Sequence, residues 1–119
     1  MIAQTLIALI AVAHIAIVLA EMVFWETGPV RKVFRTSEAY AANTRVLAAN
    51  MGLYNAFLVA GLIWSLLQGV PGPGTPIAHF FLACVTVAGL YGAATAGRGT
   101  LFVQAIPGIL ALVALMAGV

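Results

Sequence analysis

Glu21 is the residue in this sequence with the most chemical leverage. It is a carboxylate near the end of an apolar stretch covering residues 2–24, and His14 lies seven residues ahead of it. Seven residues are close to two α-helical turns, so a helix carries both side chains on one face, about 10 Å apart along its axis. A carboxylate and an imidazole so aligned can accept and pass protons. A second set lies further on: Asn43, Asn50 and Tyr54, spaced seven and four, form one helical stripe, with Asn55 beside it and Arg45 near its start. A third set, Tyr91, Thr95 and Arg98, is spaced four and three and ends in a guanidinium that suits an anion. Gln104 follows in the last apolar stretch. Other chemistries lack their residues. No glycine-rich phosphate loop follows a strand, His14 and His79 are far apart with no H-E-x-x-H pattern, and no basic run suits nucleic acid. The single cysteine, Cys84, excludes an intrachain disulfide and a multi-cysteine zinc site, and no metal site is expected.

The elements that must position these residues follow from composition. Of the 119 residues 64% are hydrophobic and 7% charged, and the formal net charge is +2. A soluble globular chain carries about 25% charged residues, so this one cannot coat a water-facing surface, and it is too apolar to be disordered. Four stretches approach the roughly 20 helical residues that cross a bilayer: residues 2–24, 44–69, 77–97 and 100–119. Runs such as Leu110–Leu115 lack the alternation of barrel strands. The first stretch has no Lys or Arg ahead of it and exceeds a signal-peptide core, so it reads as a retained helix. The expectation is an all-α, polytopic membrane protein: one domain over residues 1–119, a bundle of four transmembrane helices.

The connections orient it. Residues 25–43 form a long interfacial connection in which Val30, Val33 and Phe34 fall at helical spacing beside Arg31, Lys32 and Arg35, a short basic amphipathic turn suited to the headgroup surface. Thr36 or Ser37 can cap the helix that follows, and Trp25 and Tyr40 read as interface anchors. Residues 70–76, V-P-G-P-G-T-P, make a tight uncharged turn. All five Lys and Arg flank the first connection or sit in the third, which puts those two connections in the cytoplasm and both termini outside. Small residues every four positions (Ala16 and Ala20; Gly52, Ala56 and Ala60; Gly89, Ala93 and Gly97) are candidate helix seams, within or between subunits. Pro107 is expected to kink the fourth span.

Counting depth from each span's start puts Glu21, Asn50, Tyr91 and Gln104 in one layer. His14, Tyr54 and Asn55 lie above it and Arg98 below. Converging faces would line a polar pocket open to the cytoplasm. The plainer alternatives are that Asn50, Asn55 and Gln104 are interhelical glue, that Glu21 is stapled by Arg98 or Arg45, and that His14 is a neutral hydrogen-bonding residue.

With these residues in hand, the chain resembles a bacterial domain-of-unknown-function family, the one numbered 1304, of small four-span membrane proteins. The matching pieces are H-I-A-I-V-L-A-E-M, R-K-V-F, R-V-L-A-A-N-M-G-L-Y-N, A-G-L-Y-G-A-A-T and L-F-V-Q-A-I-P. The resemblance covers essentially the whole chain and implies a multi-pass protein of the bacterial inner membrane, with no established activity. F-R-T-S followed by T-R-V-L-A-A-N-M-G-L-Y-N-A-F is also remotely similar to the membrane-associated eicosanoid and glutathione metabolism family. Those are four-span proteins of the same topology, usually trimers, with a glutathione site between subunits. The resemblance implies that Arg45 and Asn50 stand for two glutathione-holding residues, that Asn55 occupies the neighbourhood of an absent acid, and that Tyr91 and Arg98 stand for the thiol-activating pair.

Three functions fit. The first is a membrane enzyme or binder for a small amphiphilic or thiol-bearing molecule. Arg98 would stabilise an anion, Tyr91 would donate a hydrogen bond, Glu21 and His14 would handle protons, and Arg45, Asn50, Tyr54, Asn55 and Gln104 would bind ligand. The second is a proton-coupled transporter of the small multidrug type, working as an oligomer through Glu21. The third is a structural or assembly protein. The expected partners are the lipid bilayer, a small amphiphile or thiol, and further copies of the chain in a homo-oligomer (trimer or dimer). No cofactor is specified.

Overall fold

A computed structural model describes all 119 residues. The chain is all-helical: α1 (Ile2–Met22), α2 (Gly28–Phe34), α3 (Glu38–Asn43), α4 (Arg45–Gln68), α5 (Thr75–Thr95), a π-helical segment (Leu101–Ala105) and α6 (Ile106–Ala117). Three helices, α1, α4 and α5, are long and apolar enough to cross a membrane. The shorter apolar segment Leu101–Ala117 is π-helical at its start and α-helical thereafter. At Pro107, where a kink is expected, the winding changes from π to α. Proline has no N–H to donate and crowds the preceding turn. Pro107 lies in the first turn of α6, and the N–H of Ile106 just before it bonds back to the carbonyl of Leu101, the wider π spacing.

Two compact units make up the chain: Met1–Ala13 with Leu58–Val119, and His14–Phe57.

In the first unit a cluster of buried apolar side chains includes Ile7, Ile10, Leu62, Leu82, Val85, Ala111 and Leu115. Close glycine contacts set its geometry. A Cβ on Gly89 would strike the backbone of Ala105, one on Gly92 would meet Thr100, and one on Gly108 would meet Thr86. These three pairings run in opposite directions along α5 and the segment 100–108, so the two lie antiparallel at backbone distance. Gly61 receives the ring of Phe81 in the same way. The turn between α4 and α5 contains a cis Val70–Pro71 bond and has Gly69 and Gly72 at φ 98° and 144°. It closes through Gly74 N–H to the Gly69 carbonyl at 2.8 Å, and Gln4 donates its amide to the carbonyl of Val70. The Met1 amine donates to the Val119 carbonyl at 2.7 Å. Of the small residues read from four-residue spacing, Gly89 meets a neighbouring segment within the chain, whereas Gly97 stands in open space at φ 146° and serves the turn. Ala60 is exposed, and Gly61 takes the contact.

The second unit contains the long connection, and it is structured. α2 starts at Gly28–Pro29, where proline's fixed φ suits a first turn. It ends at Arg35, which is left-handed at φ 57°, ψ 45°. Of the two expected caps, Ser37 is the one used: its hydroxyl accepts from Tyr40 N–H at 3.1 Å and starts α3. Thr44 breaks α3 from α4, and its hydroxyl donates to the Tyr40 carbonyl at 2.7 Å.

Candidate functional site

The second unit holds a polar arrangement built from the ends of α1 and α4. Glu21 sits in the last turn of α1 with 4% of its surface exposed. The Asn55 amide, nearly three turns into α4, donates to Glu21 Oε1 at 2.7 Å. Gly52 lets the helices meet there: a Cβ on it would collide with the side chain of Met22 and stand 3.2 Å from Cβ of Glu21. Around this pair the connection is tied in place. Trp25 Nε1 donates to Thr44 Oγ1 at 3.1 Å, and the Trp25 ring meets Phe34 edge-on, centroids 5.1 Å apart. Arg45 lies 3.9 Å from Glu26 in an exposed ion pair.

The partner of Glu21 is therefore a neutral amide on α4. Depth counted from the helix starts puts Asn50 at its level, but Gly52 packs on Met22, so α4 begins about 10 Å beyond the end of α1 at 1.5 Å per residue. That offset moves the level of Glu21 one turn further along α4, to Asn55. Asn50 is exposed, and its amide donates to its own helix at Val46 O, 2.8 Å. Tyr54 is 68% exposed and packs edge-on against Phe57.

Each remaining site residue has a definite place. His14 is fully buried and Gln104 nearly so, and neither lacks a partner. Tyr91 is exposed on α5, beside Phe80, Ala83, Cys84, Val87 and Ala88, along an open apolar groove of about 550 Å³. Thr95 is exposed and donates to the Tyr91 carbonyl at 2.8 Å, and Arg98 is exposed in the link after α5. Tyr91 and Asn50 thus point outward from the chain, whereas Glu21 and Gln104 are buried. A smaller concavity, of about 50 Å³, lies by Met1, Gln4, Val70 and Val119. No group of three or more His, Cys, Asp or Glu side chains is placed to hold a metal ion. The contribution of Thr44, whose hydroxyl joins Trp25 to Tyr40, was not read from the sequence. The signal available was a threonine between two helix-forming runs.

A family model described as "Protein of unknown function (DUF1304)" matches residues 8–116. The chain belongs to that family. The match takes in the whole Glu21–Asn55 arrangement and the polar residues of α5 and the π-helical segment. No curated protein and no solved structure matches the chain.

Proposed function

We propose that this DUF1304 protein is a four-span membrane protein that binds a small cationic amphiphile through Glu21. The observation that carries the reading is the Glu21–Asn55 pair. A carboxylate buried in an apolar span, with an amide and not a cation as its partner, needs a proton or a ligand's positive group to be at ease there. Arg45, one of the two arginines expected to staple Glu21, lies against Glu26 at the surface. The same engagement, with Asn50 bonded to its own helix, favours an amphiphile over a thiol. Proton-coupled transport would use the same carboxylate and differs only in whether the ligand moves.

Four spans are supported by the contact between Met1 and Val119. If α1, α4 and α5 each cross, the chain returns to its starting side only if Leu101–Ala117 crosses too. Its 17 residues are at the short end for a span. The five basic residues favour a topology with the first and third connections in the cytoplasm and both termini outside; the bacterial inner membrane and the homo-oligomer belong to the same reading and rest on the family resemblances. In a Cys84→Ala background, Gly99→Cys should label from the cytoplasmic side and Pro73→Cys from outside. Both positions accept a side chain, whereas Gly72 at φ 144° does not. The reverse pattern sinks the orientation.

The ligand test is thermal unfolding of detergent-purified protein with tetraphenylphosphonium, a lipophilic cation, and in parallel with glutathione. The expected result is stabilisation by the cation that Glu21→Gln abolishes and Arg45→Ala leaves intact. Stabilisation that survives Glu21→Gln, or none at all, overturns the site. Stabilisation by glutathione that Arg98→Ala removes would establish the thiol reading instead. Native mass spectrometry of the same sample counts subunits.

A further inference from the structure

We propose that the segment Arg31–Thr36 is a binding site for the phosphate of an anionic lipid headgroup. The proposal rests on the membrane reading above but not on the Glu21 site. Four observations bear on it.

α2 buries none of its residues. A seven-residue helix is too short to hold itself together in water, and a ring contact of Phe34 with Trp25 ties it to the preceding link. A surface outside the chain would complete its packing. The apolar side chains it presents, Val33 at 77% and Phe34 at 39% exposure, suit the acyl boundary of a bilayer and not a water-facing surface.

Three cations, Arg31, Lys32 and Arg35, fall within five residues. The nearby acids do not neutralise them: Glu26 faces Arg45, and Glu38 lies in the first turn of α3, where it complements that helix's N-terminus.

Two polar atoms in this segment are buried and have no hydrogen-bond partner, Arg31 Nε and Thr36 Oγ1. Arg31 Nε is a donor and the Thr36 hydroxyl can donate, and unsatisfied buried polar atoms are uncommon. An acceptor with several oxygens would satisfy them, and guanidinium with phosphate is a favoured pairing.

The backbone holds the two residues together. The Arg31 carbonyl accepts from Thr36 N–H at 3.0 Å and also from Arg35 N–H, because Arg35 adopts the left-handed conformation that ends the helix. The turn therefore brings Thr36 back beside Arg31 instead of letting the chain run on.

Phosphate oxygens could come from a lipid or from solution. The exposed Val33 and Phe34 on the same turn select the lipid.

The experiment uses the full chain in nanodiscs of mixed phosphatidylglycerol and phosphatidylcholine, with the lipids retained after detergent extraction counted by native mass spectrometry. Phosphatidylglycerol should be enriched on the protein, and inorganic phosphate at millimolar concentration should not displace it. Arg31→Gln and Arg35→Gln should each reduce the enrichment by about fivefold, the scale of one basic residue at an anionic surface. Thr36→Val, which keeps every charge, should also reduce it, by a smaller factor. Equal retention of the two lipids overturns the site, as does enrichment that both arginine variants preserve. Enrichment untouched by Thr36→Val overturns it in favour of diffuse surface charge. Displacement by inorganic phosphate overturns the lipid as the source. A protein that does not enter bilayers at all overturns both this site and the membrane reading, whereas one that enters but retains the lipids equally overturns this site alone.

Discussion

In the unit formed by Met1–Ala13 and Leu58–Val119, twelve buried apolar side chains form one cluster and glycines meet neighbouring backbone. In His14–Phe57 the buried apolar residues are two alanines, Ala41 and Ala48, and the ties are polar: Glu21 to Asn55, Trp25 to Thr44, Glu26 to Arg45. Lipid offers helices no hydrophobic reason to associate, so each unit must rely on contacts that lipid cannot replace. The first relies on close packing, which tolerates little change in shape. The second relies on directed hydrogen bonds, which tolerate changes in shape but not the loss of a partner.

The largest expected effect tests the first half of that contrast. Gly89→Ala places a methyl against the backbone of Ala105, and Gly74→Ala places one against the carbonyl of Ser65. Backbone cannot swing aside, so each should cost at the upper end of the roughly 1–3 kcal/mol typical of overpacking. Gly52→Ala meets the side chain of Met22, which is 44% exposed and can turn, but it also stands 3.2 Å from Cβ of Glu21, which cannot. The gain of about 1 kcal/mol in helix propensity over glycine offsets only part of that crowding. Thermal unfolding in detergent should therefore show a smaller loss for Gly52→Ala than for Gly89→Ala and Gly74→Ala. Equal losses at all three would erase the distinction between the units.

Next comes the polar pair. Asn55→Leu leaves a buried carboxylate without its donor and should cost about 1–3 kcal/mol. Adding Glu21→Leu removes the stranded group and should recover most of that loss. A double-mutant cycle reads the coupling. If the two substitutions simply add, the pair is not the tie described.

Smallest of all should be Arg45→Ala. Its ion pair with Glu26 is long and mostly solvent-exposed, with side-chain exposures of 70% and 45%, so stability should change by no more than about 0.5 kcal/mol. A larger loss would mean that surface charge, and not the buried pair, organises the second unit.

The helix bodies were legible in the sequence because long apolar runs fix them: the observed limits of α1, α4 and α5 fall within about two residues of the expected ones. Glu21 and Asn55 were both identified, but their meeting was not. The level at which α4 crosses α1 depends on Gly52 seating on Met22, and no periodicity in one helix reveals its register against another. Tyr91 and Asn50 share stripes with polar neighbours, yet both face outward. A polar stripe shows which residues travel together and does not show which way the helix is turned. The structured connection was partly visible, in the helical spacing of Val30, Val33 and Phe34 and in the Ser37 cap, because those signals are local.

The π-helical segment has a consequence for angular phase. In an α-helix each residue advances the face by about 100°, and the widened turn, which holds one residue more than a regular one, resets that phase between Leu101 and Ile106. Gln104 and Ala105, within it, are both buried. Thr100, on the near side of that turn, keeps its hydroxyl bond to the Gly89 carbonyl at 3.1 Å, while Gly108 and Ala111, on the far side, keep their buried positions. Removing a single residue such as Val103 would restore regular winding and rotate one of these two sets by about 100° away from α5. The extra residue works as a phase shifter that lets both ends of one apolar segment address the same neighbouring helix.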